Sequence, residues 1–291
     1  MKSRTIAAII EPKDPHFVGD GFRVHNFVPS IVPMELVNPF ILLDYNSRFY
    51  FPPTEQVRGV GVHPHRGFET VSIAYKGKIA HHDSMGNSGI IGEGDVQWMT
   101  AGSGILHKEY HEQNYSRQGG DFQMVQLWVN LPAAHKMTEP RYQSLTKEQI
   151  PRVTTPDGKG QVAIIAGEYE GHKGAAQTFT PINLYNVELQ AGATVEFVLP
   201  VRYHTLMIVI EGSVVCPPSK RVATTNQLVY FNNDGHQFNV VAQEKTTLLV
   251  INGEPINEPI AAQGPFVMNT KQELLDAYHD FRAGKFGVLT D

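Results

Sequence analysis

Short apolar segments with a period of two, each closed by glycine or proline after roughly ten residues, most narrowly restrict what this chain can fold into. Successive side chains of a strand point to opposite faces. Phe122 to Asn130 follows that rule, with Val125, Leu127 and Val129 on one face and Met124, Gln126 and Trp128 on the other. Glu69 to Tyr75 also alternates, and Lys76-Gly77-Lys78 then predicts a hairpin into Ile79-Ala80-His81. Gly92-Glu93-Gly94-Asp95 turns the chain into a short strand, Val96 to Met99. The same grammar returns at Gln161 to Ala166, Asn183 to Leu189, Thr194 to Leu199, Leu206 to Glu211, Gln227 to Phe231 and Thr246 to Asn252. One helix is predicted, Lys271 to Ala283, with Thr270 and Glu273 as a capping box and Gly284 beyond its end. The fold class is therefore all-β with a C-terminal helix. Leu131 to Pro140 interrupts the rhythm with two prolines and reads as a connector. It divides the chain into domains 1–140 and 141–291, the helix falling in the second.

Composition removes several function classes. A chain of 291 residues, 41% hydrophobic and 18% charged, can build a core and is not disordered. Its 24 Lys+Arg against 29 Asp+Glu contain no run of five like charges, so direct nucleic-acid binding is not expected. Cys216 is the single cysteine, which rules out an intramolecular disulfide and a cysteine-rich metal site and points to the reducing cytosol. No stretch approaches 18 consecutive apolar residues, and Ile6 to Ile10 is too short for a signal segment and reads as a first strand. No phosphate-binding P-loop, dinucleotide fingerprint or GxSxG elbow occurs.

The chemistry gathers in His63-Pro64-His65 and His107-Lys108-Glu109. Residues i and i+2 of a strand share a face, so each pair can present two donors inward, and four converge if the strands are neighbours. Imidazole nitrogens with one carboxylate suit Fe, Mn, Co, Ni, Cu or Zn, with coordination positions left open for water, O2 or substrate. His81-His82-Asp83 reads as an exposed turn, Arg66 as a solvated or salt-bridged arginine, and His111 as either a pocket-mouth residue or a strand end. An internal repeat places Val198 and Pro200 opposite His63 and His65, and Phe238 and Val240 opposite His107 and Glu109. All four donors become apolar, so the second half is expected to have a metal-free interior.

Three segments, Gly61-Val62-His63-Pro64-His65-Arg66-Gly67-Phe68-Glu69-Thr70, Trp98 to Glu109 (WMTAGSGILHKE) and Gln126 to Pro132 (QLWVNLP), closely resemble the pirin family. Gly253-Glu254-Pro255-Ile256 and Gly264-Pro265-Phe266-Val267-Met268-Asn269-Thr270 resemble that family's C-terminal half. The resemblance implies a bicupin, two facing antiparallel β-sandwich barrels, with one divalent metal, Fe(II) before other first-row ions, held in the first barrel by His63, His65, His107 and Glu109. The wider cupin pattern HxHxxxE is also met, by His63, His65 and Glu69. Two glutamates thus compete for one place. The resemblance favours Glu109 as ligand and leaves Glu69 to orient a histidine N–H. It further implies a quercetin 2,3-dioxygenase-like enzyme that opens flavonols with O2; Glu109, as the one carboxylate in the cluster, is the candidate base. The alternative is a redox-sensing regulatory module with a protein partner and no turnover. A cytoplasmic monomer without membrane contact is expected.

Overall fold

The alternating segments become strands where their period places them. A computed structural model describes residues 2–290 and shows strands at Phe68–Lys76, Ile79–Asp83, Val96–Thr100 and Gly120–Asn130. Later strands lie at Gly160–Ala166, Ile182–Leu189, Thr194–Val198, His204–Glu211, Leu228–Phe231 and Thr246–Gly253. The predicted helix is Lys271–Arg282, with Thr270 and Glu273 forming the capping box. Among the described residues no helix is long and apolar enough to cross a membrane.

The chain forms two compact units, and they do not follow its two halves. One contains the chain up to Lys13, Leu36–Asn38 and Glu148–Pro255; the other contains Asp14–Glu35, Pro39–Lys147 and the chain from Ile256 onward. Three interactions account for the difference from a single boundary near residue 140. The Ile6–Ile10 strand pairs with Leu228–Phe231 at the edge of the later unit's sheet. The supposed connector is not a linker: Lys136 is 1% exposed, and its ammonium donates to Gly67 O, Asn130 Oδ1 and Val267 O. The terminal helix packs Leu274 and Ala277 against Phe266, Met268 and Phe286, with Leu106 alongside.

Each unit is built mainly from a seven-stranded and a four-stranded sheet, with one two-stranded ribbon besides, all antiparallel. In the earlier unit the seven strands run Arg141–Leu145, Val96–Thr100, Phe68–Lys76, Gly120–Asn130, Phe40–Phe51, Phe22–Val28 and His16–Val18. The four run Gly59–His65, Ile105–His111, Ile79–Asp83 and Ser88–Ile91. Ser72, Gln97 and Gln126 of the large sheet all donate to Glu109 of the small one, so the two inner faces meet. The later unit repeats this plan, its four strands being Thr194–Val198, Gln237–Ala242, Ser213–Cys216 and Arg221–Thr224 in equivalent order.

The two interiors differ. In the later unit Phe197, Phe231, Phe238, Val240, Tyr185 and their neighbours form one continuous apolar core. His63 pairs with His107 across the earlier unit's small sheet, and Phe197 pairs with Phe238 at the equivalent place. The internal repeat is therefore one residue out of register in its first arm: Phe197, not the 52%-exposed Val198, corresponds to His63. A one-residue slip moves every side chain to the other face. Two phenyl rings tilted 34° to each other, centroids 5.1 Å apart, fill the space that two imidazoles fill in the earlier unit.

Candidate metal centre

Gly67 decides which residues enter the site. At φ +90° it adopts a conformation that other residues avoid, and a Cβ there would collide with the Val267 carbonyl. The turn ends the Gly59–His65 strand in the small sheet and starts Phe68–Lys76 in the large one. His63 and His65 therefore point inward from one wall, while Glu69 lies on the other wall and out of their pleat. Within Phe68–Lys76, Ser72 faces Glu109, so Glu69, at odd spacing from Ser72, occupies the opposite face of that sheet. Its Oε1 accepts the Thr100 hydroxyl at 2.7 Å, and its Oε2 has no partner. Glu69 bonds no imidazole, which corrects the expectation that it orients one. Burial pushes its carboxyl up to about 7, opposed in part by the Thr100 hydroxyl.

His63, His65 and His107 converge, each offering a ring nitrogen within 4.8 Å of the others. His107 faces His63 across the antiparallel pair, which brings in the third ring. Partners for the outer nitrogens fix the tautomers. His63 Nδ1 donates to Gly61 O at 2.8 Å and His65 Nδ1 to Pro265 O at 3.3 Å, so the Nε2 lone pairs of both stay free. His107 Nδ1 lies 3.5 Å from His81 Nδ1, and His81 Nε2 lies 3.3 Å from Asp83 Oδ2. Burial, then the neighbouring His63 ring, holds His65 well below the usual histidine range; the same causes, with His65 and His81 added, act on His107. Both rings are neutral at physiological pH and act as acceptors. His107 Nε2 is buried without any hydrogen-bond partner. A lone pair so placed, beside two others, lacks only a Lewis acid.

Glu109 lines the same cavity but is not within the three-imidazole cluster. Its Oε1 accepts from Ser72 at 3.0 Å and from Gln97, and its Oε2 accepts from Gln126 at 2.7 Å. These three donors form a cradle that fixes the position of the carboxylate.

The His81-His82-Asp83 segment is not an exposed turn. His81 is 0% and Asp83 3% exposed, and their strand pairs with Ile105–His111 so that His81 faces Glu109 and Asp83 faces His107. Burial pushes the Asp83 carboxyl up, but bonds from His81 and Asn87 outweigh it and keep it below the usual range. The sequence signal was the i, i+2 spacing of His81 and Asp83, the same as in the two pairs singled out. Of the two readings of Arg66, solvated or salt-bridged, the second holds: it is 4% exposed, donates to Ser103 O at 2.6 Å and Asp280 Oδ2 at 3.0 Å, and stacks on Phe286. It clamps the terminal helix. His111 ends its strand within the Phe22, Phe51 and Phe122 cluster and donates to or accepts from no metal-site residue, its Nε2 lying 2.8 Å from Gly21 O.

A cavity of about 590 Å³ opens over His63, His65 and Glu109. Phe22, Val24, Leu42, Met124 and Trp128 give it apolar walls, and Asn26, Asp44, Asn46 and Gln126 give it a polar one.

The pirin family profile matches residues 21–129, and the profile of the pirin C-terminal cupin domain matches residues 184–287. A Pseudomonas aeruginosa protein provisionally named a quercetin 2,3-dioxygenase is 45% identical over 271 residues, covering 93% of this chain and 94% of its own. A pirin-like protein of Solanum lycopersicum is 38% identical over 273 residues, covering 92% and 88%. The crystal structure of an Acinetobacter baumannii quercetin 2,3-dioxygenase superposes with a TM-score of 0.93 at 43% identity, covering 99% of this chain and all of that one.

Proposed function

Because the chain belongs to the pirin family and shares its bicupin fold, we propose that it binds one divalent first-row ion, Fe(II) before others, and opens flavonols such as quercetin with O2. The single observation that carries this reading is the buried, unpartnered Nε2 of His107 beside the free Nε2 lone pairs of His63 and His65. These three would hold the ion, and Glu109 would complete the set. Nitrogen and carboxylate donors without thiolate suit Fe(II) and its neighbours rather than a structural zinc. Such an ion supplies a Lewis acid and a one-electron partner for O2.

The chain's own residues do the rest. Trp128, Met124 and Leu42 would provide an apolar wall against which a fused-ring substrate packs with little water. Ser72, Gln97 and Gln126 hold the Glu109 carboxylate in place, where it would take the proton of a substrate hydroxyl brought against it. Gly61 O, Pro265 O and His81 hold the three rings in one tautomer and one orientation. A cavity with both apolar walls and a metal-ready floor favours turnover over a regulatory switch, which would need no such volume. The cytosol is the proposed compartment, on the strength of a single, buried and free cysteine, Cys216.

Metal content and oxygen uptake with quercetin, measured on wild type, His107→Ala and Glu109→Gln, test the reading. Iron bound and oxygen consumed by wild type, with both lost in His107→Ala, is the expected result. Iron bound with no uptake for any flavonol would refute the dioxygenase. Full iron and full turnover in Glu109→Gln would remove Glu109 as base.

A further inference from the structure

Five polar residues stand in register across the large sheet of the metal-bearing unit. Asn26 pairs with Asp44, Asp44 with Gln126, Gln126 with Ser72 and Ser72 with Gln97. A continuous polar row on the inner face of a sheet is costly unless each member has a partner. Three of the five are explained already, since Gln97, Ser72 and Gln126 cradle Glu109. Asp44 is not. It lies one strand beyond Gln126, 7% exposed, in the cavity wall. Its Oδ1 accepts from Asn26 Nδ2 at 2.6 Å, and no donor among the described residues reaches its Oδ2. Two residues along the same strand and on the same face, Asn46 is 2% exposed, lines the same cavity, and its Oδ1 has no partner.

From this pair we infer a second recognition point in the cavity: Asp44 and Asn46 accept hydrogen bonds from the hydroxyl groups of an aromatic ring whose other end reaches the three imidazoles. The inference rests on the proposed function for the class of ligand, and adds where its hydroxyls are read. The two acceptors stand one pleat repeat, about 6.6 Å, apart, a span that a ring with two hydroxyls can bridge. Gln126 and Asn26 face Asp44 from the two neighbouring strands, and His16 lies nearby; Gln126 Nε2 is committed to Glu109 Oε2 and Asn26 Nδ2 to Asp44 Oδ1, so none of them supplies Oδ2. Burial pushes the Asp44 carboxyl up to about 6, against the Asn26 hydrogen bond and the nearby His16. A hydroxyl donating to it would replace hydration that the fold has removed. The apolar surfaces of Leu42, Met124 and Trp128 lie around these acceptors, so the matching ligand is flat and apolar with hydroxyls at one end.

The test compares quercetin with 3-hydroxyflavone, which keeps the ring system and the 3-hydroxyl but lacks the other four. Dissociation constants are measured by fluorescence on the metal-loaded protein for wild type, Asn46→Leu and Asp44→Asn, with metal content and melting temperature recorded for each. Wild type is expected to bind quercetin at least about tenfold more tightly than 3-hydroxyflavone. Asn46→Leu should weaken quercetin about 5- to 10-fold, and Asp44→Asn about 10- to 100-fold, with 3-hydroxyflavone within about twofold of wild type. Should one variant fail to fold, the other still decides. Equal weakening of both flavonols, no discrimination by wild type, or no binding of either would overturn the subsite. Oxygen uptake is followed in parallel: selective loss of quercetin binding without uptake would uphold the subsite and refute the dioxygenase.

Discussion

Replacing Glu69 by glutamine separates the two glutamates that compete for the metal. Glu69 is 0% exposed, accepts one hydrogen bond from Thr100, and has its carboxyl raised from 4.5 to about 7 by burial. A raised carboxyl binds its proton more tightly in the folded chain than in the unfolded one. Its contribution to stability is therefore complete below pH 4.5 and is lost as pH rises through about 7. At 1.36 kcal/mol per unit the ionised form costs about 3 kcal/mol at pH 8. Glutamine occupies the same volume, keeps an oxygen for Thr100 and carries no charge, but buries an unpartnered NH2 at a cost of about 1 kcal/mol. The net expectation is a Glu69→Gln protein about 2 kcal/mol more stable at pH 8, a rise in melting temperature of roughly 4–8 °C, and no gain at pH 4. Calorimetry or thermal circular dichroism at both pH values measures it, with iron analysis on the same samples. Unchanged metal content is expected, because Glu69 faces away from the imidazoles. Loss of metal, or a stability change independent of pH, would refute the placement of this carboxyl.

Three further outcomes follow from the same geometry. His81→Ala or Asp83→Asn should weaken Ni(II) or Co(II) binding about 10- to 100-fold, measured by competition with a chromophoric chelator, since His107 loses the group that orients its ring; affinity like that of wild type would show that the contact does nothing. Burial lowers Lys136 from 10.5 to about 7, so wild-type stability should rise as pH goes from 7 toward 10, and that rise should vanish in Lys136→Met; denaturant midpoints across the range decide. Arg66→Ala removes the bond to Asp280 and the stacking on Phe286, and amide exchange across Lys271–Arg282 should speed up severalfold while the later unit is unaffected.

Much of this was legible in the residues. Period-two segments located the strands, the capping box at Thr270 and Glu273 located the helix, and the i, i+2 histidines located the cluster. What stayed hidden was long-range. Nothing local to Ile6–Ile10 says that it completes a sheet with Leu228–Phe231, nor that Arg66 waits for Asp280. His81 looked exposed because its segment is short and polar, and only pairing with Ile105–His111 buries it. The cradle around Glu109 comes from three strands, so no spacing within one segment could have announced it. The positive φ at Gly67, by contrast, was hinted at by the glycine itself, and it is what separates Glu69 from the histidines beside it in sequence.

The lending of end segments between the units has a consequence for anyone who would dissect the protein. Severing the chain between Lys147 and Glu148 would leave neither fragment whole: the leading piece would lack the helix that Arg66 clamps, and the trailing piece would lack an edge strand. Expressed apart, the fragments should be poorly soluble; mixed, they should restore each other, and metal uptake should return only with the complete set.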